Sequence, residues 1–289
     1  MTAPRRPYPT DLSDARWALM EPVLSVWRAE HAAAGLGLAE PVHDLREIVN
    51  TIAYVSRAGC AWHLLPHDFP PWKTVYDYYA RWEKDGTTRK IHDLLRARVR
   101  EQAGRPAEPT AAIIDAQSVK TSSNVPESSQ GIDAGKKIKG RKRHIATDTL
   151  GLLLAVVVTA ASVQDTNGGK DVASQLAAGC PSVTAGWVDS GYKSGFLAHA
   201  AACGISFEAV AKPDGQKGFA PLPRRRAVER TLGWLMLHRR LARDYETLPE
   251  RSAAMIHWAM IDNMSRRLTG ESTPTWRDRP AETGKPSVT

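Results

Sequence analysis

Ala111-Ala112-Ile113-Ile114-Asp115-Ala116-Gln117-Ser118-Val119-Lys120 is an apolar run that stops on a carboxylate, then offers a hydroxyl and an ammonium. Pro109 precedes it and a Ser/Asn/Pro-rich stretch follows, so it reads as a buried strand. An aspartate at a strand end is a common turn former and carries no function by itself. Two later stretches change its weight. Trp187-Val188-Asp189-Ser190-Gly191-Tyr192 repeats the pattern, with apolar residues running into an aspartate and then a glycine. Val228-Glu229-Arg230-Thr231-Leu232-Gly233 puts a glutamate on a helix behind Arg225 and Arg226. Two strand-end aspartates and a helical glutamate in a basic chain point to a metal site acting on nucleic-acid phosphates.

Working outward, the spacing predicts a second strand over 143–148, a turn at Thr149-Leu150-Gly151 and a third strand over 152–160. A helix over 170–178, a strand at 187–189, a helix over 195–202 and a strand over 205–210 follow. A loop over 212–223 leads to the Glu229 helix, and a last helix spans 249–268. This β-β-β-α-β-α-β-α order is that of the ribonuclease H-like fold, a mixed five-stranded α/β sheet with flanking helices. There the first strand is central and the fourth lies beside it, so Asp115 and Asp189 meet at neighbouring strand ends. On the Glu229 helix the apolar stripe is Val228, Leu232, Leu235 and Met236, and Gly233 suggests a close approach. Arg240 extends that face as a basic track.

Residues 136–143, Lys-Lys-Ile-Lys-Gly-Arg-Lys-Arg, carry six cations in eight positions. The reading is a poorly ordered loop whose Lys136, Lys137, Lys139, Arg141, Lys142 and Arg143 neutralise phosphates.

The first third reads as helical. Ser13 caps a helix limited by Pro22, and residues 29–41 form a loose connection. Leu45, Ile48, Val49, Ile52 and Val55 mark a helix stopped by Gly59. Pro71 opens another, with Trp72, Val75, Tyr76, Tyr79 and Trp82 inward. Its other side offers Lys73, Thr74, Asp77, Tyr78 and Arg81, as in a helix-turn-helix unit reading a groove. A fourth helix turns Ile91, Leu94, Leu95 and Val99 inward. Gly104-Arg105-Pro106 marks a boundary. We therefore expect a helical DNA-end-binding domain over 1–105, a catalytic domain over 106–268 and a disordered tail over 269–289.

Thirty-nine Lys and Arg against 31 Asp and Glu give 289 residues a net charge of +8, which favours a polyanionic partner. Cys60, Cys180 and Cys203 lie far apart with no paired-ligand spacing, which disfavours a zinc site or a disulfide framework. The longest apolar run, residues 152–161, is about half a membrane span. The expectation is a cytoplasmic, nucleoid-associated protein with no membrane partner.

The chain resembles bacterial insertion-sequence transposases of the DDE type, the large family numbered five, over roughly residues 8–268. The most specific matches are Tyr8-Pro9-Thr10-Asp11-Leu12-Ser13-Asp14, Pro66-His67-Asp68-Phe69-Pro70-Pro71-Trp72 and the segments 115–121 and 140–145. Val188-Asp189-Ser190-Gly191-Tyr192 and residues 226–235 complete the set. The resemblance implies a catalytic, metal-binding triad of Asp115, Asp189 and Glu229. It also implies two Mg²⁺ ions (or Mn²⁺), double-stranded DNA as partner (terminal inverted repeats and target), and a homodimer on DNA. Ser118, Lys120, Arg225, Arg226 and Arg240 join the expected DNA-contacting residues. Ala227 departs from the family's aromatic, and Leu222 and Met236 stand where related transposases carry Tyr and Lys. A nuclease without strand transfer and a regulator with an idle triad are the alternatives.

Overall fold

A computed structural model describes residues 5–34, 43–210 and 226–273. Its centre is a mixed sheet built on β1 (Ala111–Lys120), which has a partner on each side. Antiparallel to it runs β3 (Ile138–Thr147), joined by a tight turn to β4 (Leu153–Ala160). Parallel to it runs β5 (Ala185–Asp189), followed by β6 (Ser206–Val210). The short β2 (Gly131–Asp133) adds an edge beside β3, so the described sheet has six strands where five were expected. Sequence periodicity misses a three-residue strand because it is shorter than two alternation periods.

The two faces of the sheet are covered differently. Ala112, Ile114, Ala146, Leu154 and Val188 pack under α5 (Asp165–Gly179) and α6 (Ser194–Ala202), against Val172, Leu176 and Phe196. Ile113, Ile145 and Trp187 belong to the opposite face, which α7 (Arg226–Met236) and α8 (Pro249–Thr269) cover. The period of two along β1 makes this division.

The helices before the sheet are α1 (Asp14–Ala33), α2 (Leu45–Ala58), α3 (Trp72–Lys84) and α4 (Thr87–Gln102). Ser13 caps α1 by accepting from the Arg16 N–H, as read from the sequence. Pro22 does not stop this helix. A proline within a helix costs about 3 kcal/mol, but Leu24 and Trp27 beyond it are both buried, and burial of such side chains contributes roughly 1.5–3 kcal/mol each. Gly59 does end α2, in the left-handed region at φ +73°. Any side chain there would also press on Arg239, 2.9 Å from an added Cβ.

One apolar cluster runs from these helices to the sheet. It joins Leu24, Ile52, Tyr79, Trp82 and Leu95 with Trp258, Ile261 and Met264 of α8, then with Val228, Ile113 and Ile145. The last helix thus sits among the first four, chiefly on α4. Buried polar pairs fasten the same seam. Arg16 donates to Asp262 at 2.6 Å, Arg100 pairs with Asp148, and Ser56 meets His238 at 2.9 Å. Beyond Thr269 the chain stays engaged for a few residues, since Glu271 accepts from Ser13 at 2.5 Å. The rest of the expected tail, 274–289, lies outside the described residues. Among the described residues no helix is long and apolar enough to cross a membrane.

Candidate active site

Asp115 lies directly opposite Ile145, so the two share a face of the sheet, the one under α7. On the other side, β1 and β5 pair with a constant offset, Ala111 with Ala185 and Ile113 with Trp187. Continuing that register two residues sets Asp115 level with Asp189, and alternation gives both the same face. The two carboxylates therefore belong to adjacent strands, each two residues beyond the last paired residues, Ile113 and Trp187. Both are half-buried. Asp115 accepts from the Ala116 N–H at 2.8 Å, and Asp189 from the Gly191 N–H at 2.7 Å, the short loop that turns the chain from β5 toward α6.

Glu229 stands in the first turn of α7, half-buried at the margin of Ala227, Val228, Thr231 and Leu235. That helix packs on β1 and β3, on the face shared by the two aspartates. The β3–β4 turn fixes it: Thr231 donates to the Gly151 carbonyl at 2.6 Å and Arg230 to the Leu150 carbonyl at 2.8 Å. Gly151, at φ +80°, admits no side chain, because an added Cβ would lie 2.9 Å from Thr231 Oγ1 and 3.0 Å from the Ala227 carbonyl. Gly233, by contrast, faces open space and marks no close approach. Met236 is exposed and so leaves the expected stripe. Among the described residues no three His, Cys, Asp or Glu side chains are gathered closely enough to hold one ion. The donor chemistry nonetheless fits a hard divalent cation, since two level carboxylates supply anionic oxygens on one face. Glu208, which accepts from Trp187 Nε1 at 3.3 Å, is a further carboxylate on the neighbouring strand. Strand order alone does not single it out; its pairing with Trp187 does.

Several expected DNA contacts are corrected. Arg141 and Arg143 are fully buried and Lys142 nearly so, because this basic run is strand, not loop. Arg141 donates to the Glu246 and Thr247 carbonyls at 2.6 and 2.9 Å and lies 3.3 Å from Asp244. Lys142 meets Asp165 at 2.9 Å and Asp133 at 3.4 Å. Arg143 donates to the Leu241 carbonyl at 2.9 Å, and burial pulls its pKa down to about 10 against the pull of Asp244. Desolvation pushes Asp133 up, but hydrogen bonds from Ser118 and the Lys136 N–H, with the Lys142 charge, hold it at about 2. Ser118 is itself buried and spends its hydroxyl on Asp133 at 2.5 Å. Tyr78 points into the core, between Trp27 and Trp82. Arg240 lies past the end of α7 and is buried against Glu246 at 2.8 Å, so it makes no basic track. Arg225 lies outside the described residues.

What remains exposed is a smaller set: Lys73, Arg81, Lys120, Lys136, Lys137, Lys139 and Arg226. Three of these crown the β2–β3 hairpin, whose tip Lys137 adopts φ +53°. Changing Lys136, Lys137 and Lys139 together to Gln is expected to weaken DNA binding for all sequences alike. The slope of log affinity against log salt should flatten by about 0.9 for each phosphate that is no longer neutralised. An unchanged slope in a salt titration would remove the hairpin from the DNA surface.

No curated protein and no solved structure matches the chain. Two family models do: a putative transposase of the IS4/5 family over residues 12–92, and the transposase DDE domain over residues 106–264. The first covers α1 to α3 and the opening turns of α4. The second covers more than half the chain and holds Asp115, Asp189 and Glu229. This chain therefore belongs to the family of DDE-domain transposases.

Proposed function

We propose that this transposase cuts DNA at the terminal repeats of an insertion sequence and joins the freed 3′-OH ends to target DNA. The residues assigned to the chemistry are Asp115, Asp189 and Glu229. The observation that carries the reading is the shared register: Asp115 and Asp189 come level on adjacent parallel strands, facing the helix that bears Glu229. Nothing in a structural core calls for two half-buried carboxylates side by side, since like charges at that spacing repel. Divalent ions held by these three side chains, two of Mg²⁺ or Mn²⁺, would activate the attacking oxygen and steady the leaving one.

In the first reaction water adds to phosphorus and the P–O3′ bond breaks, leaving a 3′-OH and a 5′-phosphate. In the second the 3′-OH adds to a target phosphate, and the target's own P–O3′ bond breaks, so one phosphodiester replaces another. The carboxylates would hold those ions and, without them, would repel the substrate phosphate. Two ends need two copies of this site, so a homodimer on DNA is part of the proposal. The helices before the sheet, with Lys73 and Arg81 outward, contact the ends, and the hairpin lysines contact backbone phosphate.

The test is incubation of the full chain with Mg²⁺ and duplexes carrying the repeats that flank its own coding region, plus plasmid target. A joined product on a denaturing gel is the expected outcome. Cleavage without joining would reduce the chain to a nuclease, and binding without either would make it a regulator.

A further inference from the structure

Glu229 stands in the first turn of α7, and the far end of that helix is held from outside the sheet. Leu235 is its last buried apolar residue, since Met236 and the next residue, Leu237, are 44 % and 39 % exposed. Apolar packing therefore does not fix this end; polar contacts from α2 do. Arg57 donates to the Leu237 carbonyl at 3.2 Å, and the Ser56 hydroxyl lies 2.9 Å from Nδ1 of His238. The short turn Arg239–Leu241 continues the seam. Arg239 closes on Gly59, leaving no room for a side chain there, and Arg240 donates to the Cys60 carbonyl at 2.8 Å. Each residue from Leu237 to Arg240 thus meets the end of α2 or the two residues after it.

The other side of the His238 ring faces α8, with Nε2 3.8 Å from Oδ2 of Asp262. Oδ1 of that carboxylate already accepts from Arg16 and Arg266, whereas Oδ2 is buried with no hydrogen bond. Burial, with the Arg57 and Arg266 charges, holds the His238 pKa at about 4 against the pull of Asp262, so the ring is neutral near pH 7. The orphan oxygen assigns its tautomer: Nδ1 accepts from Ser56, and the proton sits on Nε2 toward Asp262. Closing that gap by about 1 Å would reach ordinary hydrogen-bond length and complete the chain Ser56–His238–Asp262. Ser56 is buried, so the trio offers no nucleophile to a substrate. What it joins is α2, α7 and α8. On its other side α2 packs on α3, whose Lys73 and Arg81 are exposed and whose Trp72, inward by spacing, is itself 38 % exposed. The 11 residues of α7 form a rigid rod about 16 Å long, at 1.5 Å per residue, so its end and Glu229 move together.

We propose that His238 is a positioning residue: through Ser56 and Asp262 it ties the end-binding helices to α7 and so sets Glu229 for cleavage. This role rests on the reaction proposed above, and the experiment separates the two. Single-turnover cleavage by the full chain, with Mg²⁺ and saturating terminal-repeat DNA, would be measured beside gel-shift affinity and thermal melts. Ser56→Ala removes one buried hydroxyl. Its matched control is Ser252→Ala, since Ser252 is equally buried but donates to Asp244 at 2.7 Å and makes no bond to α7. Both variants should lower Tm alike. Ser56→Ala is expected to slow cleavage roughly ten-fold or more at unchanged end affinity, the order that a small misplacement of a catalytic group costs. Ser252→Ala should cut at the parent rate. His238→Asn, which keeps an acceptor near the place of Nδ1, should retain more of the rate than His238→Leu. Adding Ser56→Ala to His238→Leu should cost nothing further, because the two residues act as one. Should His238→Leu fail to fold, the two serine variants decide. Parent-rate cleavage by Ser56→Ala, or an equal loss in Ser252→Ala, overturns the positioning role. If the unaltered chain leaves the ends uncut, the reaction itself is wrong and this role falls with it.

Discussion

Asp115→Asn is expected to leave DNA uncut while still binding it. The amide keeps the shape of the carboxylate and retains an oxygen to accept from the Ala116 N–H, so β1 should form as before. What disappears is negative charge facing the helix that bears Glu229. Removing one charge-handling group from a preorganised site typically costs 10²–10³-fold in rate. The loss here should reach at least about 10³-fold, because the group removed is proposed to hold the ion itself. Asp189→Asn and Glu229→Gln should behave alike, with gel-shift affinity for the ends within a few-fold of the parent. Substantial cleavage by any one of the three variants would strike that residue from the mechanism.

The largest effect on stability should come from a residue with no part in the chemistry. Asp148 is fully buried at the β3–β4 turn, where one oxygen accepts from the Leu150 and Leu152 N–H groups at 2.9 and 2.8 Å. Its other oxygen pairs with Arg100 of α4, which is 6 % exposed. Asp148→Ala strands that guanidinium and two backbone donors at once. Breaking a buried pair from one side costs about 3–5 kcal/mol, and for a chain of this size that lowers Tm by the order of 10 °C. Glu127→Ala provides the contrast. It breaks the pair with Lys139, whose side chains are 77 % and 55 % exposed, and surface pairs contribute little. Equal shifts in the two thermal melts would show that burial is not what gives the Arg100 pair its weight.

That the strands bearing Asp115 and Asp189 are neighbours, with both residues on one face, was legible in the sequence because it depends on strand order and a period of two, whereas Asp115, read as a strand end, lies in the middle of β1. Strand order and period survive any detail of packing. The same holds for α2, whose amphipathic spacing and terminal Gly59 mark it from either end. The burial of Arg141 and Arg143 was not legible. Their partners lie about a hundred positions later, in the segment around Leu241, Asp244 and Glu246, and a run of cations gives no sign of which carboxylates will reach it. Pro22 misled for a related reason. A local rule argued for a break, and tertiary burial of Leu24 and Trp27 outweighed it. Trp72 was misplaced because the opening turn of a helix sits at the rim of its own stripe, where spacing cannot separate inside from outside. For Glu229, apolar periodicity reveals the helix but not the reach of the side chain.

The place of α8 among the first four helices carries a consequence for synthesis. Helices α1 to α4 leave the ribosome first, but Trp258, Ile261 and Met264, which fill the space between them, are made some 160 residues after α4 ends. At about 5–20 residues per second this leaves an unfinished apolar surface open for roughly ten to thirty seconds. A nascent chain in that state is a natural client for holding chaperones. A transcript broken off before α8 yields helices without their centre, so early termination produces a product prone to aggregate and be degraded.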